Sequence, residues 1–573
     1  MKVNILFFGL LFGLLWSCSP TTSEGTFKSW EYSDEVVIGT LELENTGGVH
    51  HYKISKIDNE SNKIEEYNAN GILTGTIVIK FQGGKISSLT NTTNQGFTYY
   101  TKIFQDRGDD ILATSKRSGK NVYLPCKGIS YKFKNGLVVE SSYVGFNEKP
   151  CECSEGYATV KYIRYGDKNR WGQIQEAAFF NKKGEAIISG DYHLVKYQRD
   201  ERGNVTNQSF WGINNKAVKT IEGFHEVRAK FDKFDNEIET TIYGVSGEAC
   251  ANIYGISKWL REYEEGNVSK ITSYNIKNEI SKESGAISVG AAIIKIKYDE
   301  RGNMVGTSYF DNLEKPMNSN MGYHMIKAHF DKNDNQDEQV YYAPNNKPAT
   351  DKKRIHRYYY LYDDLGRNLG IAYYDIQNNP MKDDVNMVFM EKFKYDEEGR
   401  KISISYWSNE KEKMTRWSGI HEYKDKYNEQ GQKIEELGLD QEGNLKKSSS
   451  GESRTVTEYD EFSRISSRSN FDGEVPIMIT SPAQVDGYHK VAFEYDIQNR
   501  ISEIKYFDKE GNPIDAEVNN VDKVHKIEIE YQGYKIVREN WYRKESSVPS
   551  KIVDCETSEC MRIYGTGMDY LNK

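Results

Sequence analysis

No segment of this 573-residue chain reaches the length of a membrane-spanning helix. The longest apolar run, Ile5 to Trp16, has 12 residues, where about 20 are needed to cross a bilayer. Charge of one sign is also scarce. Against 85 acidic side chains stand 76 basic ones, a net −9, which gives no electrostatic footing for nucleic acid. The common catalytic signatures are missing as well: there is no Gly-rich phosphate loop, no G-x-S-x-G elbow and no H-E-x-x-H. The seven cysteines include only C-x-C (Cys151, Cys153) and C-x4-C (Cys555, Cys560), without a flanking His cluster, and these are weak zinc spacings. The acidic run FDKNDNQDE (330–338) lacks the ligand order and the Gly of an EF-hand loop. No metal, no other cofactor and no catalytic residue is therefore expected. Mixed charge and 13% aromatic residues, among them 41 Tyr, argue against wholesale disorder.

The N-terminus carries an address. Lys2 followed by the short apolar run fits the core of a secretory signal. Leu15-Trp16-Ser17-Cys18 resembles the lipobox of bacterial lipoproteins, although Trp16 is larger than the residue usual there. The resemblance implies removal of residues 1–17 and acylation of Cys18, which would hold the chain on a membrane. It also implies the outer membrane, because residue 19 is Ser rather than Asp. Residues 18–25 read as a flexible tether. The alternative is an ordinary signal with an incidental cysteine. Export permits disulfides: Cys555 with Cys560 closing a small loop, and Cys126 with either Cys151 or Cys153.

What is present in abundance is a repeat. YDERGN (298–303), YDDLGR (362–367), YDEEGR (395–400), YNEQGQ (427–432), YDEFSR (459–464) and YDIQNR (495–500) recur among more diverged copies anchored at 165, 199, 231, 263, 330 and 531. The twelve copies have a period of about 33 residues, the signature of a repeat architecture. Ahead of each anchor lies an alternating stretch such as His489-Lys490-Val491-Ala492-Phe493-Glu494-Tyr495, a strand with one buried face. The Asp/Asn/Gly-rich turn follows, then a second strand ending in an aromatic pair, a second turn and a linker. One copy is thus a β-hairpin plus a loop. A lone hairpin is marginal in water, so the copies must pair.

This YD…G…YFD..G.P pattern resembles the YD/RHS-like tandem repeats of bacterial surface proteins and lipoproteins. The resemblance covers about residues 157–545 and implies an all-β tandem hairpin array forming an extended or curved sheet or a partial shell. Residues 26–156 also read as β, with Asn135-Gly136 as a hairpin turn, and are expected to cap the array as degenerate copies. Residues 546–573 form a C-terminal tail.

Two sets of residues invite a functional reading. His193, His225, His324, His356, His421, His489 and His525 each lie six before an anchor, which makes them repeat-determined core residues bonded to a backbone carbonyl of the next copy. The aromatic pairs are more suggestive. Neighbours in a strand face opposite sides, so one ring of each pair enters the core and the other faces out. Which ring of each pair faces out depends on bulges, which change the parity; Trp211, Phe310, Tyr374, Trp407 and Phe507 are the candidate ligand-binding rings for polysaccharide or protein, and the competing reading is cross-strand packing. The expectation is a non-catalytic, lipid-anchored envelope protein whose array binds or scaffolds an extended partner. Its alternatives are a polysaccharide-processing enzyme and a structural spacer.

Overall fold

The structure is a computed structural model. It describes residues 25–554 except 33–36, 43–45, 47, 118–119, 122–125, 135–136, 146–147, 153–155, 167–171, 282–289, 383–387, 430, 461–463, 480–486, 497–499, 519–521 and 533–534. Cys18, the signal and tether, the Asn135-Gly136 turn, Cys153, Cys555 and Cys560 lie outside the described residues.

Among the described residues every regular element is a β-strand, and the hairpin pairs are antiparallel. The protein is an all-β tandem hairpin array. Its chain falls into two compact units, the first built from residues 1–118, 128–144 and 157–381, the second from 119–127, 145–156 and 382–573.

The hairpin of Ile293–Tyr298 and Met304–Phe310 shows how one copy is made. Asp299 Oδ1 accepts the backbone N–H groups of Arg301 and Asn303, at 2.9 and 2.8 Å, and its Oδ2 accepts the Asn303 amide at 3.1 Å. This closes the turn with Gly302 at φ 82°, a left-handed conformation that glycine adopts freely. The copies at 231 and 330 use Asp235 and Asp334 at that place, with φ 65° and 63°, and Asp is among the few side chains that tolerate it.

Each turn leads into a β-bulge. Lys297 pairs with Gly306 but Tyr298 with Met304, so Val305 is extra. The same slip recurs before Tyr362, Tyr395, Tyr427, Tyr459 and Tyr495. A bulge adds bend and right-handed twist, so a bulge in successive hairpins makes the sheet curve.

The anchor tyrosine ties one copy to the one before. Tyr427 Oη donates to Lys401 O at 2.8 Å, Tyr459 Oη to Lys433 O at 2.9 Å and Tyr495 Oη to Ile465 O at 2.9 Å. The acceptor belongs each time to the residue opposite the preceding anchor. In the copies at 395, 459 and 495 the turn ends in Arg, and that side chain pairs with the turn Asp and lies over the next anchor ring. Arg464 bonds Asp460 at 2.6 Å and sits 4.4 Å from the Tyr495 ring, and Arg500 bonds Asp496 at 2.7 Å and sits 4.2 Å from Tyr531.

In the first unit the N-terminal strands run into the array without a break. Leu137–Val144 pairs with Thr159–Arg164, and a single core runs from Ile54, Ile64 and Ile79 through Val160 and Val195 to Phe210 and Ile242. The sheet also winds back on itself. Asn68 Nδ2 donates to Arg301 O at 2.7 Å, Asn267 Nδ2 to Asn70 Oδ1 at 2.6 Å and Gln95 Nε2 to Asn335 Oδ1 at 3.1 Å. The Arg367 guanidinium sits 5.9 Å from the Phe97 ring. These contacts form a seam at which turns of the N-terminal strands meet repeat turns about 200 residues later. In the second unit a separate core gathers Val491, Phe493, Ile504, Tyr506, Ile527 and Trp541, and Cys126 is bridged to Cys151.

Two predictions follow from this construction. Removing the Tyr495 hydroxyl by Tyr495→Phe should cost about 0.5–1.5 kcal/mol, read as a lower urea midpoint with an unchanged slope. Gly366 and Gly511 both have positive φ, 75° and 84°, but a Cβ on Gly366 meets Gln95 Oε1 at the seam, whereas one on Gly511 meets nothing within 4 Å. Gly511→Ala should therefore cost about 1–2 kcal/mol of backbone strain and Gly366→Ala clearly more. Equal losses in the two variants would show that the seam does not form.

Candidate binding surface

The bulge and the pairing register decide which ring of each aromatic pair is inside. The first ring is buried: Phe210 is 6% exposed, Tyr406 3% and Tyr506 2%. Several of these rings pack on a linker aromatic, as in Phe210 on Tyr192 and Phe224, Tyr309 on Tyr323, and Tyr506 on Tyr488. The second rings Trp211, Phe310, Tyr374, Trp407 and Phe507 are half-buried on the opposite face.

On that face each ring belongs to a stack. The histidine of the next copy meets four of them edge-on, His225 at 5.1 Å from Trp211, His324 at 5.2 Å from Phe310, His421 at 5.6 Å from Trp407 and His525 at 6.3 Å from Phe507; after Tyr374 the equivalent position is Phe389. A cation lies over four: Lys196 at 4.8 Å from Trp211, Lys295 at 4.7 Å from Phe310, Arg357 at 4.4 Å from Tyr374 and Lys392 at 3.8 Å from Trp407. Burial holds the Lys392 ammonium below its usual pKa. Carboxylates complete the stacks, Glu176 beside Lys196 at 3.7 Å and Glu338 beside Arg357 at 3.0 Å. Within a unit, stacks of consecutive hairpins lie two strands apart, about 10 Å.

Six of the seven repeat histidines are at most 9% exposed, and His525 is half-buried. Their Nδ1–H groups donate to carbonyls, Val218 O for His225 at 3.1 Å, Ala349 O for His356 at 2.7 Å and Met414 O for His421 at 2.8 Å. In these three the acceptor lies in the linker seven residues upstream, and in His193, His489 and His525 it is Ile187, Ile477 and Tyr506; in each it precedes the histidine and is not in the following copy as the sequence suggested. The linker has to fold back over the sheet to enter the next strand, and this brings its carbonyls to the ring.

One charged group was missed altogether. Asp425 takes the place held by Ile296, Ala328, Phe393 and Phe493 in other copies, two residues before the anchor. Burial pushes its carboxyl up, and Lys433 answers it at 2.7 Å beside Glu436. Burial opposes the Lys433 charge, but Glu436 and Asp425 keep its pKa above the ordinary value. The signal was in the sequence, as an Asp at a core position of the alternation.

No family model and no curated protein matches the chain. Among solved structures it is similar to a TcdB2-TccC3-Cdc42 crystal structure, with 9% identity and a TM-score of 0.29, covering 87% of this chain and 31% of that one. A Photorhabdus luminescens Tc holotoxin pore is similar at 9% identity and 0.23, covering 87% and 30%. A porin-like protein from Bacteroides uniformis is similar at 9% identity and 0.18, covering 49% and 90%. The chain thus spans less than a third of the first two.

The turn aspartates, the obvious candidate acids, are committed to their turns. Burial alone would raise Asp363, but the Arg367 N–H and guanidinium outweigh it and hold the carboxyl below its usual range. A carboxyl depressed in the folded state contributes stability above its unfolded pKa and loses it as pH falls through the folded one. The thermal midpoint should therefore drop on acidification below about pH 4, and Asp363→Asn should reduce that drop while preserving the turn, since Asn428 closes an equivalent one. An unchanged acid limb in the variant would contradict this assignment.

Proposed function

We propose that this is a non-catalytic, cell-envelope protein, held on a membrane through acylated Cys18, whose repeat array is a binding or scaffold surface for an extended polymer. The observation that supports it is the stacks on one face of each unit, four of which offer a half-buried ring with an ammonium or guanidinium group over it. Rings stack on the apolar faces of sugars, and the cations donate to hydroxyls or carboxylates. A polymer with a repeat of its own can engage several stacks at once, and linked sites gain effective concentration even where each is weak. A structural spacer is the second reading, because each ring already has a histidine, a cation or both against it and so stabilises the hairpin without a ligand.

Affinity electrophoresis of residues 20–573 through gels carrying bacterial, plant and host polysaccharides separates these readings. Retardation by one polymer, lost in Trp211→Ala and Trp407→Ala, is the expected result. Retardation with shortening of the polymer would make the protein an enzyme. No retardation by any polymer, with both variants merely less stable, would return the stacks to packing.

A further inference from the structure

The hairpin of Lys258–Glu264 and Asn267–Tyr274 departs from its neighbours. Its turn is reduced to Glu265-Gly266, with φ 50° and 77°, a two-residue reversal that takes the place of the longer Asp-x-x-Gly loop. On one side stands the full turn at Asp232 to Asn236, on the other the turn at Asp299 to Asn303. The missing residues leave a gap at the seam of the first unit, and the N-terminal loop closes it from across. A Cβ on Gly266 would collide with the carbonyl of Gly48.

The result is a groove of about 710 Å³, lined by Thr46, Asn70, Phe234, Tyr263, Glu265 and Glu300 among others. That volume is in the range of sites that take a small ligand. Phe234 is 51% exposed, with Lys233 over one face at 4.8 Å. The ring leaves a large apolar surface open to water at the mouth of a groove whose walls are part apolar and part polar. The turn does not require it, since Asp232 closes the turn through the N–H groups of Phe234 and Asn236, at 2.8 and 2.9 Å, whatever the side chain at 234. Around the ring are a hydroxyl, an amide and the carboxylates of Glu265 and Glu300, neither of which makes an ion pair among the described residues. A flat ring flanked by hydrogen-bonding groups at different heights suits a ligand with an apolar face and a rim of hydroxyls.

The geometry points to this groove as a saccharide-binding site for one short segment or chain end, separate from the outer row of stacks. Phe234 stacks on a sugar face while Glu300, Glu265 and Asn70 bond its hydroxyls. Among the described residues the site lies where the shortened turn meets the N-terminal loop, so it belongs to that place in the first unit and not to each copy. It does not depend on whether the stacks bind a polymer.

The test is calorimetric titration of residues 20–573 with tetra- to hexasaccharides of the cellulose, chitin, xylan and starch series, on wild type, Phe234→Ala, Glu300→Gln, Trp407→Ala and, as a control outside both the groove and the stacks, Ile221→Ala, whose side chain is 79% exposed. Binding of one series, about tenfold or more weaker in Phe234→Ala and Glu300→Gln but unchanged in Ile221→Ala, is the expected result. Circular dichroism and the thermal midpoint should stay at wild-type values in the groove variants, because both side chains are exposed. Binding lost in Trp407→Ala alone would move the saccharide to the stacks and overturn the assignment. No binding of any of the four series to wild type would overturn it as well.

Discussion

The whole architecture hangs on a carboxylate that accepts two backbone N–H groups of its own turn. Asp299, Asp331 and Asp363 each bond the N–H groups two and four residues on. That closure fixes where the left-handed residue falls, and the left-handed residue fixes where the return strand starts. The extra residue after it becomes the bulge, and the bulge sets both the curvature and the face on which every later side chain lies. A register slip of one residue would exchange the two faces. The turn is therefore the point from which register is counted, and its repetition lets hairpins of divergent sequence pair with one another.

Tyrosine is abundant because the array asks it to do two things. At the anchor it supplies a hydroxyl to the carbonyl opposite the previous anchor, a bond that Phe231 and Phe330 cannot make. In the first place of the aromatic pair it fills the inner face. Burial raises the hydroxyl pKa of such residues, as at Tyr495, pushed up to about 12, so they stay neutral donors. The second place of the pair is chemically different: at Trp211, Phe310 and Trp407 the ring is held between a histidine edge and a cation on the face opposite the core.

Sequence periodicity made the fold class, the copy number and the burial of the histidines legible, because each is a local rule repeated many times. Which ring of Tyr406-Trp407 faces inward was not legible, since a bulge changes parity without leaving a residue type that announces it. The seam was hidden for another reason. Asn68, Asn70 and Gln95 look like ordinary turn residues, and their partners lie some 200 residues away at positions decided by accumulated curvature. The Asp425–Lys433 pair was visible in principle as a charged residue in a core register. A search for repetition passes over a position where one copy disagrees with the rest.

That last point bears on where function resides in a repeat protein. Positions that agree across copies are explained by what each copy needs to fold and to hold its neighbour, as the turn aspartates and anchor tyrosines are. A position that departs has no such explanation and must be met by something particular to its place. Glu265-Gly266 is such a departure. The short turn gives up the Asp closure that stabilises its neighbours, and among the described residues the space it vacates is a groove bordered by an exposed ring and two exposed carboxylates. The same curvature that gives every copy an equivalent environment thus brings one inequivalent copy against the N-terminal loop, and a singular groove arises in an otherwise uniform wall.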